Sequence, residues 1–134
     1  MTNSESSLKL KEDGNQAFAE GDWSKALVCY TQAISLIEFD SPEKAVLYKN
    51  KAAVHLKVSD YEEAIKDATI SLNICPNDPK ALFRRCQAYE ALEKYEEAYK
   101  DARQVHNLDT NNKAIAPILK RLHTIVQNRV TFSS

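Results

Sequence analysis

The chain has 134 residues, enough for one domain with a real core and at most two small ones. Its 18 Lys and Arg are balanced by 19 Asp and Glu, a formal net charge of −1, and a pI near 6.3 argues against a nucleic-acid partner. A hydrophobic content of 43% argues against disorder throughout, and two Gly with four Pro are too few breaks for many short strands.

Ala, Leu, Glu, Lys and Gln are abundant, and all favour helix, so the expected fold class is all-α. Residues 1–6 are expected to form a flexible polar lead-in. The opening "MTNSESSLKLKEDG" has neither a basic start nor an apolar run, so it is not expected to be a secretory signal. No run of about 18 apolar residues occurs, so no membrane partner is expected.

The chain then repeats itself. An aromatic followed three residues later by Ala occurs at Trp23–Ala26, Tyr61–Ala64 and Tyr95–Ala98. The second and third copies lie 34 residues apart. The first and second lie 38 apart, and the four extra residues fall in "EFDSPEK", between Ile37 and Ala45. Each aromatic follows a turn ("EGD", "VSD" or "LEK") with an amphipathic segment on either side. The pattern predicts helix–turn–helix units over about 7–40, 45–78 and 79–112. Ala26, Ala64 and Ala98 recur where paired helices must come close. Asp60 is expected to cap its helix and Pro79 to open the next. Residues 113–130 predict a helix capping the open end of the stack, with Ile115, Ile118, Leu119, Leu122 and Val126 at helical spacing. Pro117 either lies in its first turn or kinks it, and residues 131–134 are expected to be a tail.

This pattern resembles the tetratricopeptide repeat, a helix–turn–helix unit of about 34 residues. The resemblance covers three copies over about residues 7–112. In the first copy Gly14, Gly21, Trp23, Ala26, Tyr30 and Ala33 match that family's spacing. The second and third copies depart from it, with Ala52 and Cys86 where the first has Gly14. These residues are still small enough to keep the packing. The resemblance implies a superhelix whose concave surface is lined by the first helix of each pair.

Charge divides along the same lines. Residues 43–57 sum to +3, residues 60–74 to −3 and residues 79–91 to +2. A cationic groove between acidic backs would concentrate an anionic ligand. Lys11 and Asn15 are spaced i, i+4, as are Lys80 and Arg84, so each pair shares a helix face. Asn50 and Arg84 lie 34 residues apart, at one register of consecutive repeats.

Lys11, Asn15, Asn50, Lys80 and Arg84 together resemble the dicarboxylate clamp of chaperone-binding tetratricopeptide domains. The resemblance implies a ligand, the C-terminal Glu-Glu-Val-Asp tail of heat-shock protein 90 or 70. It also implies roles: amide donors from Asn15 and Asn50, and cations from Lys11, Lys80 and Arg84 for the two terminal carboxylates. Phe18, Ala53 and Lys57 follow the clamp residues at groove-facing offsets. Phe18 could equally belong to the core, and Lys57 either meets an upstream Glu or is simply solvated. Arg85, rotated about 100° from Arg84, is expected to be structural.

The third repeat and "LKRLHTIVQNR" further resemble the front domain of UCS-type myosin chaperones. That resemblance implies a myosin client engaged through domains beyond residue 134. It also implies a cytoplasmic adaptor that brings heat-shock protein 90 to muscle filament assembly. The isolated domain is expected to be monomeric.

No enzyme is expected. Ser/His/Asp sets, phosphate loops and metal-ligand spacings are missing, so no cofactor or metal is expected either. Cys29, Cys75 and Cys86 look like small hydrophobes in a reduced protein. His55, His106 and His123 look like exposed or half-buried helix residues. The competing expectation is a repeat scaffold that binds a partner helix or self-assembles through its last helix.

Overall fold

The computed structural model describes residues 1–133. Among these residues the chain forms seven α-helices and no strand: α1 (Asn3–Ala19), α2 (Trp23–Ser35), α3 (Pro42–Lys57), α4 (Tyr61–Ile74), α5 (Pro79–Ala91), α6 (Tyr95–Leu108) and α7 (Ile115–Ser133). None of these helices is long and apolar enough to cross a membrane. Three-residue turns join α1 to α2, α3 to α4 and α5 to α6, and each pair packs as a hairpin. α3 also packs on α5, so the first helices of successive hairpins share one face, and α7 covers α6.

The repeat extends to single hydrogen bonds. Gly21, Ser59 and Glu93 adopt left-handed φ of 75°, 61° and 61° at the same place in the three turns. Asp22 N–H donates to Ala17 O (2.9 Å), Asp60 N–H to His55 O (2.8 Å) and Lys94 N–H to Tyr89 O (2.8 Å). This is the Schellman closure, and it turns the chain back sharply enough for the two helices to pack. Ser59 and Glu93 accept a backbone that glycine adopts freely.

The slot occupied by Gly14, Ala52 and Cys86 has a packing explanation. A Cβ on Gly14 would stand 2.6 Å from Tyr30 Cε1, so the ring requires glycine there. At Tyr30's register the later repeats have Ala68 and Ala102, both 0% exposed, which leave room for Ala52 and Cys86. Another bond recurs with its partners exchanged. Ser7 Oγ donates to Ala33 O (3.1 Å) in the first hairpin, and Ser71 Oγ donates to Ala45 O (2.8 Å) in the second.

Two apolar clusters form the core. One is built around Tyr30, Leu47 and Val54. The other is built around Leu82, Val105, Ile115 and Leu122, and its last two residues anchor α7. Burial pushes the Cys86 thiol up to about 12, so it stays protonated and packs as a hydrophobe.

Some expectations are corrected. α1 begins inside the expected lead-in because Thr2 caps it: Thr2 Oγ1 accepts from Glu5 N (3.1 Å) and also meets the Glu5 carboxylate at 3.1 Å. α7 continues through Ser133, past the expected tail boundary at 130, with Pro117 in its first turn. Asp60 stands at the N-cap of α4, but its side chain makes no capping bond. Asp22 does cap α2, accepting from Lys25 N at 3.2 Å. His55 is buried at 8% exposure, because its face of α3 packs on α4, where its Nε2 lies 3.2 Å from Asp67 Oδ2.

Candidate functional site

Because α1, α3 and α5 share a face, Asn15, Asn50 and Arg84 meet in a hollow of about 220 Å³, lined also by Phe18, Tyr30 and Ala53. Tyr30 OH donates to Asn15 Oδ1 (2.5 Å), and Asn50 Nδ2 donates to the same oxygen (3.4 Å). Oδ1 is thus occupied, while the Asn15 Nδ2 hydrogens meet no acceptor among the described residues and are available to one in the hollow. Burial raises the Tyr30 pKa, although the Arg84 charge opposes that, so Tyr30 remains a donor.

The two adjacent arginines have opposite surroundings. Arg85 forms a fork with Asp101, Nε to Oδ2 and Nη2 to Oδ1 at 2.8 Å each, and Nη1 donates to Thr69 Oγ1 at 3.2 Å. Arg84 is half-buried, and among the described residues its one hydrogen bond is from Nη1 to Lys49 O (3.2 Å). No ion pair reaches it among the described residues. Burial therefore lowers the Arg84 pKa, with only partial relief from Asp78 and Tyr30. A guanidinium carries five N–H donors, so most of Arg84's remain unspent. A carboxylate entering the hollow would meet these donors and relieve a desolvated charge.

Lys49 and Asp78 hold Arg84's helix in place. Lys49 Nζ lies 2.7 Å from Asp78 Oδ2, and Asp78 Oδ1 accepts from Lys80 N (3.0 Å) at the start of α5. Burial alone would raise the Asp78 pKa. The Lys49 hydrogen bond and charge, with the backbone N–H groups of Lys80 and Ala81, outweigh it and hold the carboxyl below its ordinary 3.8. Folding thus favours the carboxylate. Its contribution is fully present above about pH 4 and is lost as pH falls through the lower folded value. Asp78→Asn should cost about 1–2 kcal/mol at pH 7. The gap from wild type should narrow as pH falls below the ordinary 3.8 in denaturant titrations, and a gap that does not narrow on acidification would rule out ionisation as its source.

Charge counting by helix overstates the free cations of α3. Lys44 pairs with Asp40 (3.6 Å), Lys49 with Asp78 (2.7 Å) and Lys51 with Asp67 (3.8 Å). Three of the four lysines are thereby matched by acids on neighbouring segments, which sums over single helices do not register. Lys57 is exposed and unpaired among the described residues.

Lys11 and Lys80 also lack ion pairs among the described residues. Each stands one helical turn before Asn15 or Arg84 on the same helix, and neither lines the hollow. Lys11 lines a separate cleft of about 350 Å³ with Leu8, Ile37 and Leu47. Phe18 lies between the core and the hollow. It packs edge-on against Trp23 at 5.1 Å beside the core, and it lines the hollow.

A larger groove of about 760 Å³ continues from the hollow, sharing Phe18, Ala53 and Arg84 and adding Lys57, Gln87 and Arg121. Tyr30, Gln87 and Arg121 were missed in the sequence. Gln87 lies three residues after Arg84, and that offset could have found it. Arg121 carries no such signal.

No protein-family model matches the sequence. The Arabidopsis OM64 tetratricopeptide-repeat domain superposes with a TM-score of 0.84 at 36% identity, covering 91% of this chain and 98% of that one. The chain belongs to the tetratricopeptide-repeat family. This tetratricopeptide-repeat domain is also 40% identical over 126 residues to protein unc-45 homolog B of Xenopus laevis, covering 94% of this chain and 14% of that protein. It therefore spans about one seventh of the length of that relative. The myosin chaperone UNC-45 of C. elegans, solved with a Hsp90 peptide, is 35% identical with a TM-score of 0.86, over 94% of this chain and 14% of that one. The same protein has been solved with a Hsp70 peptide.

Proposed function

We propose that this domain is a co-chaperone adaptor that binds the C-terminal carboxylate tail of heat-shock protein 90, heat-shock protein 70 or both. Its role would be cytoplasmic and non-catalytic, recruiting the chaperone to myosin folding and muscle filament assembly. The observation that carries this reading is Arg84, a half-buried guanidinium with no ion pair among the described residues, facing one hollow with two asparagine amides. Asn15 and Asn50 supply donors, Arg84 a planar fork, and Lys11 and Lys80 flexible charges one helical turn away. A terminal Asp offers two carboxylates to this set. The similarity to domains solved with Hsp90 and Hsp70 peptides supports the same ligand.

A self-assembling scaffold is less favoured. Over residues 1–129, the large apolar side chains that are exposed, such as Leu8 and Phe39, lie outside α7. Calorimetry with a Met-Glu-Glu-Val-Asp peptide discriminates the two. The free acid should bind in the micromolar range, and the C-terminal amide at least about 30-fold more weakly. Equal binding of acid and amide, or no binding at all, overturns the carboxylate reading.

A further inference from the structure

The inner hollow and the larger groove are continuous through Phe18, Ala53 and Arg84. A peptide whose end sits beside Arg84 thus has a path along the larger groove toward α7. That groove offers apolar surface from Leu56, Tyr61 and Ile118, and two cations, Lys57 and Arg121. Arg121 is already oriented: its Nε donates to Glu90 Oε2 (2.9 Å) and its Nη2 to Glu90 Oε1 (2.8 Å). Its side chain is 50% exposed, and these two bonds use two of a guanidinium's five donors.

We infer that this far end is a second subsite, in which Arg121 and Lys57 take an acidic side chain upstream of a bound C-terminal carboxylate. The inference rests on the carboxylate reading of the inner hollow. Glu90 has two effects here. It pre-orders Arg121, which spares the ligand that entropic cost. Its negative charge also opposes the incoming acid. A glutamine at position 90 keeps a hydrogen bond to Arg121 and removes the repulsion, so the two partners of one ion pair should have opposite effects on binding.

An extended chain advances about 3.4 Å per residue, so a free-acid peptide of about three residues stays in the inner hollow and an acidic one of about eight extends along the groove. Wild type should bind the longer peptide more tightly. Arg121→Gln should weaken the longer peptide about five-fold and shrink that preference. Glu90→Gln should strengthen it about two-fold or more. Lys57→Gln, exposed on α3, should weaken it without touching the packing of α7. Helicity should be retained in all three, because Ile115 and Leu122, each 0% exposed, anchor α7. Loss of affinity in Glu90→Gln alongside Arg121→Gln would reduce the pair to a structural bridge and overturn the subsite. Equal binding of both peptides by wild type would overturn the subsite alone, whereas failure to bind either overturns the carboxylate reading beneath it.

Discussion

Arg84→Ala should weaken binding of a free-acid tail peptide about 100-fold and leave the unfolding midpoint almost unchanged. A bidentate, charge-assisted contact to a desolvated carboxylate contributes about 2–3 kcal/mol or more at a binding hot spot. The folded state loses little, because among the described residues Arg84 makes one bond, from Nη1 to Lys49 O, and its burial already penalises its charge. Arg85→Ala should do the reverse. It would strand Asp101, whose side chain is 5% exposed, without its cation. Leaving one partner of a part-buried pair uncompensated costs about 2–4 kcal/mol. Peptide affinity should stay within about two-fold, since Arg85 lines neither hollow nor groove. Calorimetry and urea unfolding on both variants check this crossed pattern. Unimpaired binding in Arg84→Ala would remove the centre of the proposed site.

Gly14→Ala should destabilise the fold even though alanine is the better helix former. The new Cβ would stand 2.6 Å from Tyr30 Cε1 and 2.8 Å from Cδ1. Tyr30 is 2% exposed and its hydroxyl is tied to Asn15, so the ring cannot move without breaking packing or that bond. Overpacking of this kind costs about 1–3 kcal/mol, partly offset by about 1 kcal/mol of helix propensity. A net loss of up to about 2 kcal/mol is expected, together with weaker tail binding as Asn15 loses its orientation. The mechanism fixes a sign reversal. In a Tyr30→Ala background the clash disappears, and Gly14→Ala should stabilise by up to about 1 kcal/mol. A Gly14→Ala penalty that survives removal of the ring would place its cause elsewhere.

The repeat was legible because close helix packing imposes a period on small residues. Ala26, Ala64 and Ala98 each sit at 0% exposure where a larger side chain would force the hairpins apart. The division between Arg84 and Arg85 was legible for a similar reason: one residue is about 100° of helix, enough to turn a side chain from groove to core. The cap on α1 could also have been found, since Thr2 and Glu5 carry the capping-box spacing.

By itself the sequence determined the all-α class, the helical hairpins and the register that aligns Asn15, Asn50 and Arg84, because all of these follow from local periodicity. Tertiary structure alone decided which cations remain free. Lys49 is neutralised by Asp78, 29 positions away, and Arg121 meets Glu90 across 31 positions. It also decided why the small-residue slot is Gly14 in one repeat and Cys86 in another, since that depends on whether Tyr30 or an alanine stands opposite. Charge pairing and volume matching act between elements, and their partners become neighbours only once the helices have packed.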